Sequence, residues 1–340
     1  MRKRLLAWYQ ANRRDLPWRR TLDPYAIWVS EIMLQQTRVA AVVERYTAFL
    51  SRFPTVASLA ASSEEEVLAL WSGLGYYRRA RMLHRAAQEV MAEYGGVLPE
   101  NFEVLRKLPG IGTYTAAAIA SIAHGEPVAV VDGNVERVLC RLEGLDASTK
   151  AAASLRRTVQ ALADTLVDPR RPGDFNQAMM ELGATLCLPR NPRCAECPVA
   201  AHCQTRGEHK TTKRKPMRAE LAACALVLRK EPDGSATQIL LERRAAEQTI
   251  MPGLWELPAL RDTEVPADEL AMTLRHAIMQ VNYTVLVRSV AQKDLTRLAV
   301  RGGARRWVAL EEAATMALTG LARKVVASIQ LPDRKKQKSG

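Results

Sequence analysis

Four of the chain's six cysteines, Cys187, Cys194, Cys197 and Cys203, fall within seventeen residues, in the run CLPRNPRCAECPVAAHC. No other stretch restricts the fold so tightly. Four thiolates this close in a loop-rich segment can wrap a single metal centre, either a tetrahedral zinc or a [4Fe–4S] cluster. His202 lies among them, but four cysteines already complete such a shell. Cys140 and Cys224 stand apart and are expected to be buried as small apolar residues. No export signal is expected, because Arg2, Lys3 and Arg4 precede only a few apolar residues, and a disulfide scaffold is accordingly not expected in a chain of 340 residues. The longest apolar runs, 116–123 and 221–228, are too short to span a bilayer, so no membrane partner is expected.

At 340 residues, with 48% hydrophobic and 25% charged side chains, the chain reads as a globular protein of two domains. Its first two hundred residues fall into helical segments punctuated at Pro24, Pro54, Gly73–Gly75, Gly95-Gly96, Pro109-Gly110, Gly125 and Pro172-Gly173. Val67, Leu68, Leu70 and Trp71, then Leu83, Ala86, Ala87 and Val90, repeat at helical spacing, and no strand alternation stands out. The composition shifts after Cys203. Strand-like runs follow at 221–228, 238–242, 283–290 and 306–310, with helical stretches at 267–274 and 311–318. These spacings predict an all-α domain over 1–205 containing the cysteine loop 187–203, a basic linker 206–217, an α+β domain 218–331 and a basic tail 332–340.

The net charge of +13 sits mostly in extensions. The segment 206–218 carries a net +5, and the tail and Arg2–Arg4 carry +3 each, so the folded body is nearly balanced. Overall charge is therefore weak support for nucleic-acid binding. Gly73–Arg85 is a better patch, with four arginines beside Tyr76 and Tyr77, as phosphate contact with aromatic insertion requires; a solvated helix face is the alternative reading.

The stretch Leu105–Arg137 begins with a helix that stops at Pro109-Gly110-Ile111-Gly112 and continues into a small-residue helix from Thr113. Gly110 and Gly112 allow a tight turn and leave no side chain over the amides that open the next helix, a place for a phosphate oxygen. Asp132 heads a further helix. This pattern resembles the helix-hairpin-helix-Gly/Pro-Asp superfamily of DNA glycosylases. The cysteine spacing matches the iron–sulfur loop of the endonuclease III and MutY glycosylases, which favours a [4Fe–4S] cluster on Cys187, Cys194, Cys197 and Cys203.

Glu31 lies in SEIMLQQT, with Ile27, Trp28 and Leu34 at helical spacing around it. Apolar flanks raise a carboxyl's pKa and keep it protonated near neutrality, as a general acid needs. The segment matches the MutY catalytic segment, which implies that Glu31 protonates a departing adenine at N7 and later helps activate water. Asp132 is an N-cap by position; an ionised carboxylate there can stabilise an oxocarbenium-like sugar, and two carboxyls with separated pKa values suit glycosidic cleavage. The resemblance places Asn134 to orient Asp132 or the water. It also places Tyr114 where strand-cutting relatives carry a Schiff-base lysine, which implies base removal without strand scission.

RDLPWRR resembles the family's adenine-contacting segment and implicates Arg14, Leu16, Trp18 and Arg19, although Trp18 also reads as plain core. Gln177 in FNQAMMELG matches the residue that reads the purine edge. Gln36 and Tyr76 match residues that fill the stack around the opposite base. Farther along, MPGLWELP resembles the MutT-like domain that MutY enzymes carry. The pyrophosphohydrolase signature is missing, so no metal-dependent hydrolysis is expected there. Many relatives contact 8-oxoguanine with a Phe-Ser-His triplet; here the positions read Ile278, Met279 and Gln280, after Arg275-His276. His276, Ile278 and Gln280 are the corresponding DNA-contact candidates.

The resemblance implies a monomeric, cytoplasmic, DNA-associated adenine glycosylase acting on double-stranded DNA with adenine mispaired with 8-oxoguanine or guanine. The rivals are a bifunctional endonuclease III-like glycosylase/lyase and a non-catalytic iron–sulfur DNA-binding or redox protein.

Overall fold

The computed structural model describes residues 1–146, 151–209, 216–231, 237–261, 265–278, 280–300 and 303–330. The centre of the expected linker, residues 210–215, Met279 and the whole expected tail lie outside the described residues. The chain forms two compact units: the described residues of Met1–Ala61 with Met82–Arg214, and those of Ser62–Arg81 with Lys215–Gly340.

The first unit contains α1 (Arg2–Asn12), α2 (Pro24–Leu34), α3 (Val39–Arg52) and α4 (Val56–Ala60). After α5 (Glu64–Trp71) of the second unit comes α6 (Arg78–Tyr94), within which the boundary falls. The first unit continues with α7 (Phe102–Leu105), α8 (Thr113–Ala123), α9 (Gly133–Leu142), α10 (Ala152–Leu166) and α11 (Pro172–Thr185). Among its described residues there is no strand, as the helical punctuation predicts. Caps written in the sequence start several of these helices. Asp23 accepts the N–H groups of Tyr25 and Ala26 ahead of Pro24, and Asn101 accepts those of Glu103 and Val104 at the head of α7. Thr55 with Ser58, and Ser63 with Glu66, form reciprocal capping boxes.

Helix α9 shows how patterning becomes packing. Val135, Val138, Leu139 and Leu142 recur at i, i+3, i+4 and i+7, and all four are buried in one core with residues of α1, α10 and α11. Each such side chain contributes about 1.5–3 kcal/mol on burial. Helix α11 reaches α8 and α9 through two glycines. A Cβ on Gly173 would stand 2.7 Å from the backbone of Ser121 and Ile122, and one on Gly183 would stand 2.6 Å from the Asn134 Cβ. We therefore expect Gly183→Ala to force α9 and α11 apart, at about 1–3 kcal/mol. Thermal melting should register this as a lower midpoint.

The second unit is α+β. One sheet orders β1 (Arg218–Leu226), β6 (Val281–Ser289) and β5 (Leu270–Ile278), with β1 parallel and β5 antiparallel to β6. The other is built on β3 (Thr237–Arg243), which pairs antiparallel with β2 (Leu228–Lys230), β4 (Trp255–Glu256) and β7 (Arg305–Ala309). Helices α12 (Leu310–Thr315) and α13 (Gly320–Gln330) pack with β4, β6 and β7 around Trp255, Val287, Leu318 and Val325.

The helix expected at 267–274 is corrected: only 267–269 make a short helical turn, and Leu270–Ile278 form β5. Met272, Leu274, His276 and Ile278 are half-buried while Thr273, Arg275 and Ala277 are exposed, so the period is two. The expected helix at 311–318 shortens to α12, and α13 has no counterpart among the expected elements.

Candidate active site

Helix α2 carries Glu31 into the first unit, where it is only 5% exposed. Tyr114, in the first turn of α8, donates its hydroxyl to Glu31 Oε2 at 2.5 Å, and the same hydroxyl lies 3.4 Å from Met180 Sδ. Burial raises the Glu31 carboxyl to about 7; the Tyr114 bond lowers it, the charge of Asp132 raises it, and Arg19 lowers it. Tyr114 is driven well above its ordinary value by burial and by Glu31, so it remains a donor. The site thus holds a carboxyl that keeps its proton to higher pH than an exposed glutamate does.

Asp132 caps α9. Its Oδ1 accepts the N–H groups of Asn134 and Val135 at 2.9 and 2.7 Å, and its Oδ2 accepts the Asn134 side-chain amide at 2.8 Å. The N-cap expected of Asp132 is therefore present. Asp132, Tyr114, Thr113, Glu136, Arg156 and Gln160 are among the residues lining a cavity of about 230 Å³. Glu31 does not itself line this cavity; Tyr114, which does, donates its hydroxyl to Glu31.

Beside Glu31 lies a polar cluster that sequence patterning only half reveals. Arg14 donates through Nε and Nη2 to both oxygens of Glu181 at 2.8 and 2.7 Å, and its backbone N–H adds a third bond. Arg19 donates to Glu181 Oε2 at 2.8 Å and to the Arg14 carbonyl. Glu181 is 1% exposed. Burial alone would raise it, yet the two guanidinium groups hold it at about 2. Tyr9 joins the set: Arg19 stacks over its ring at 5.5 Å, and its hydroxyl donates to Gln177 Oε1 at 3.1 Å. Trp18 packs edge-on against Tyr46, and Leu16 and Trp18 are both buried.

Asn176 also escapes the sequence reading. It is buried, accepts from the Val130 N–H, and donates to Ser121 and the Val128 carbonyl, which fixes the extended segment leading into Asp132. The available signal is the same for Asn176 and Glu181: a polar residue on the inward face of an otherwise apolar helix, in the FNQAMMELG run.

The cysteine loop is tied to the Asp132 helix by two arginines. Arg137 donates to the carbonyls of Cys187 and Gly183 and to Asn134 Oδ1, so a continuous path of hydrogen bonds runs from Asp132 to Cys187. Arg141, 2% exposed, donates to Cys187 Sγ at 3.3 Å and to the carbonyls of Leu188 and Pro189. Cys187, Cys194, Cys197 and Cys203 line one pocket. No three His, Cys, Asp or Glu side chains among the described residues converge closely enough for a single ion. Four thiols around one pocket are the donor set that an iron–sulfur cluster takes. Burial pushes the Cys197 thiol up, a backbone bond from Val199 pulls it down, and the other sulfurs push it up again. An iron–sulfur cluster, when bound, supplies the positive charge that lets four thiolates share such a space.

Helix α8 opens at Gly112 with no side-chain cap, and a Cβ at Gly112 would meet nothing within 4 Å. Gly110 has φ +75°, and a Cβ there would strike Met82. Gln36 and Tyr76 both hold left-handed backbone, at φ +55° and +48°. Asn191, Arg206 and Met251 share this conformation. The arginine patch is corrected. Arg79 is packed over Trp71 and Tyr76 with its pKa lowered to about 10 by burial, and Arg81 is bonded to Glu64 and Pro252. Arg78 and Arg85 are the exposed ones. In the second unit, His276 lies against Gly320 and its pKa is lowered by burial and by Lys324; Ile278 is half-buried and Gln280 exposed. No helix among the described residues is long and apolar enough to cross a membrane.

Fold and site define a class. Residues 29–163 match the helix-hairpin-helix-Gly/Pro-Asp superfamily of base-excision DNA repair proteins, and residues 187–203 match the iron–sulfur binding domain of endonuclease III. A thermostable thymine-DNA glycosylase of known structure superposes with a TM-score of 0.56 at 32% identity, over 60% of this chain and 94% of that one. The human adenine DNA glycosylase is 36% identical across an alignment of 400 residues, covering 94% of this chain and 72% of the human protein. The rat adenine DNA glycosylase is 50% identical over 212 residues, 60% of this chain and 41% of the rat protein. The chain belongs to the adenine DNA glycosylase family, MutY, of base-excision repair, and its cysteine loop carries a [4Fe–4S] cluster.

Proposed function

We propose that this glycosylase flips adenine mispaired with 8-oxoguanine or guanine out of duplex DNA and hydrolyses its N-glycosidic bond, leaving an abasic site. The observation that carries the reading is the Tyr114–Glu31 bond at 2.5 Å on a buried carboxyl near pKa 7, beside the capped carboxylate of Asp132. Glu31 gives its proton to adenine N7 as the bond to the sugar lengthens, and the positive sugar forms against Asp132, which Asn134 orients. Glu31, now ionised, takes a proton from the attacking water.

In this reading the adenine lies among Arg14, Leu16, Trp18, Arg19 and Gln177, with Arg14 and Arg19 held open by Glu181. Gln36 and Tyr76 occupy the stack around the opposite base. The amides behind Gly110 and Gly112 hold a phosphate, and Cys187, Cys194, Cys197 and Cys203 ligate the cluster. His276, Ile278 and Gln280 are candidates for contact with the lesion strand from a domain spanning 218–331, and the enzyme acts as a cytoplasmic monomer.

Single-turnover assays on duplexes with adenine opposite 8-oxoguanine, guanine and thymine test this. Fast release opposite the first two and slow release opposite thymine is expected, with no strand scission and no adduct trapped by borohydride. A trapped adduct through a native lysine would instead establish the glycosylase/lyase reading.

A further inference from the structure

The loop between α5 and α6 presents Tyr76, more than half exposed at 53%, in left-handed backbone between Gly73, Gly75 and Arg78. An exposed aromatic on strained backbone beside an exposed arginine is a stacking device for nucleic acid. Two glycines at positive φ give such a loop many conformations, so something must hold it. Part of the support is local: the Arg79 guanidinium lies between the rings of Trp71 and Tyr76, at 5.5 and 5.6 Å, and donates to the carbonyls of Leu74 and Gly75.

The rest comes from far along the chain. The buried Tyr77 hydroxyl donates to the Leu318 carbonyl at 2.9 Å, and Ser72, wholly buried, reaches the same carbonyl at 3.3 Å. Arg323, on α13, donates through Nε to Ser72 Oγ at 2.7 Å, while its other nitrogens hold the carbonyls of Ala314 and Met316. At the far end of the loop Arg81 donates to the Pro252 carbonyl at 2.6 Å. Both flanks of Tyr76 are therefore bonded to backbone more than 170 residues away, and residues 62–81 belong to the same compact unit as those partners. Leu318 itself is fixed, since it pairs with Trp255 in the buried core of that unit.

We propose that Tyr77 and Arg323 are positioning residues that clamp the Tyr76 loop, so that the strand opposite the excised base is read by a wedge whose geometry is set by the C-terminal part of the chain. This rests on the adenine-excision reading above. The clamp touches neither Glu31, Tyr114 nor Asp132, so it acts on recognition and leaves the chemical step alone.

The test compares the full-length wild type with Tyr77→Phe, which keeps the buried ring and removes the donor, and with Arg323→Ala. Hydrogen exchange of amides 73–79 in the free protein should quicken in both variants. Excision opposite 8-oxoguanine relative to guanine should fall by about three- to tenfold, the effect of one lost hydrogen bond, with the saturating single-turnover rate within about twofold of wild type. Unchanged exchange in Tyr77→Phe, or faster exchange with an unchanged ratio, would overturn the clamp. A wild type that releases no adenine from either duplex would sink the excision reading itself, a failure visible before any variant is compared.

Discussion

Replacing Glu31 with glutamine should abolish adenine release while making the protein more stable in mild alkali. The glutamine side chain keeps the shape and still accepts the Tyr114 hydroxyl, but it has no proton of the right acidity to give. General acid catalysis accounts for factors of about 10²–10⁴, so single-turnover excision should fall by about a thousandfold with duplex binding retained. The stability effect follows from linkage. The Glu31 carboxyl ionises near its ordinary 4.5 when unfolded and at about 7 when folded. The folded state therefore holds the extra proton between those values, and stability falls as pH rises through that window. A shift of this size is worth up to about 3 kcal/mol. Thermal melts at pH 8 should place Glu31→Gln above wild type. An equally active variant would remove Glu31 from the mechanism, and an equally stable one would remove the desolvated carboxyl.

The opposite sign is expected at Glu181. This carboxylate sits at about 2 because Arg14 and Arg19 bond to it. Its contribution is fully present above the ordinary value of 4.5 and is lost as pH falls toward 2. Glu181→Gln leaves two guanidinium groups with a neutral partner, Arg19 almost wholly buried. Breaking one side of a buried ion pair costs about 3–5 kcal/mol, and the partial exposure of Arg14 puts the expected loss at the lower end. The melting midpoint should drop by several degrees near pH 7, by less at pH 3, and should converge with wild type only as pH falls below about 2. Excision should also need more duplex for saturation, because Arg19 loses its anchor. A variant with a wild-type midpoint and half-saturation would show that the pocket does not depend on this carboxylate.

What can be read from residues alone, and what cannot, divides along physical lines. The burial of Glu31 and the helix cap of Asp132 are legible because both are fixed by local geometry, one on a helix with apolar neighbours and one at a helix start. The four cysteines are legible because their spacing is short. Glu181, Asn176, Arg137 and Tyr9 act on partners from 46 to 168 residues away in sequence, and nothing local marks a buried polar side chain as paired. The arginine patch is only half legible for the same reason: Arg78 and Arg85 are exposed, but Arg79 and Arg81 are claimed by Trp71, Tyr76 and Pro252. In the C-terminal part, charged and apolar residues in 267–274 suit either period, and only pairing with β6 selects the strand. Helix α13 begins at Gly320, which lies against His276.

The claim on which the rest depends is that one buried, protonated carboxyl starts the reaction. The pH dependence of single-turnover adenine release, measured between pH 5 and 9 on duplex with adenine opposite 8-oxoguanine, tests it most directly. A rate that is level in acid and falls about tenfold per pH unit above about 7, with that limb absent in Glu31→Gln, is the expected result. A rate that climbs through pH 7 instead would mean that the group works as a base, and would contradict the account.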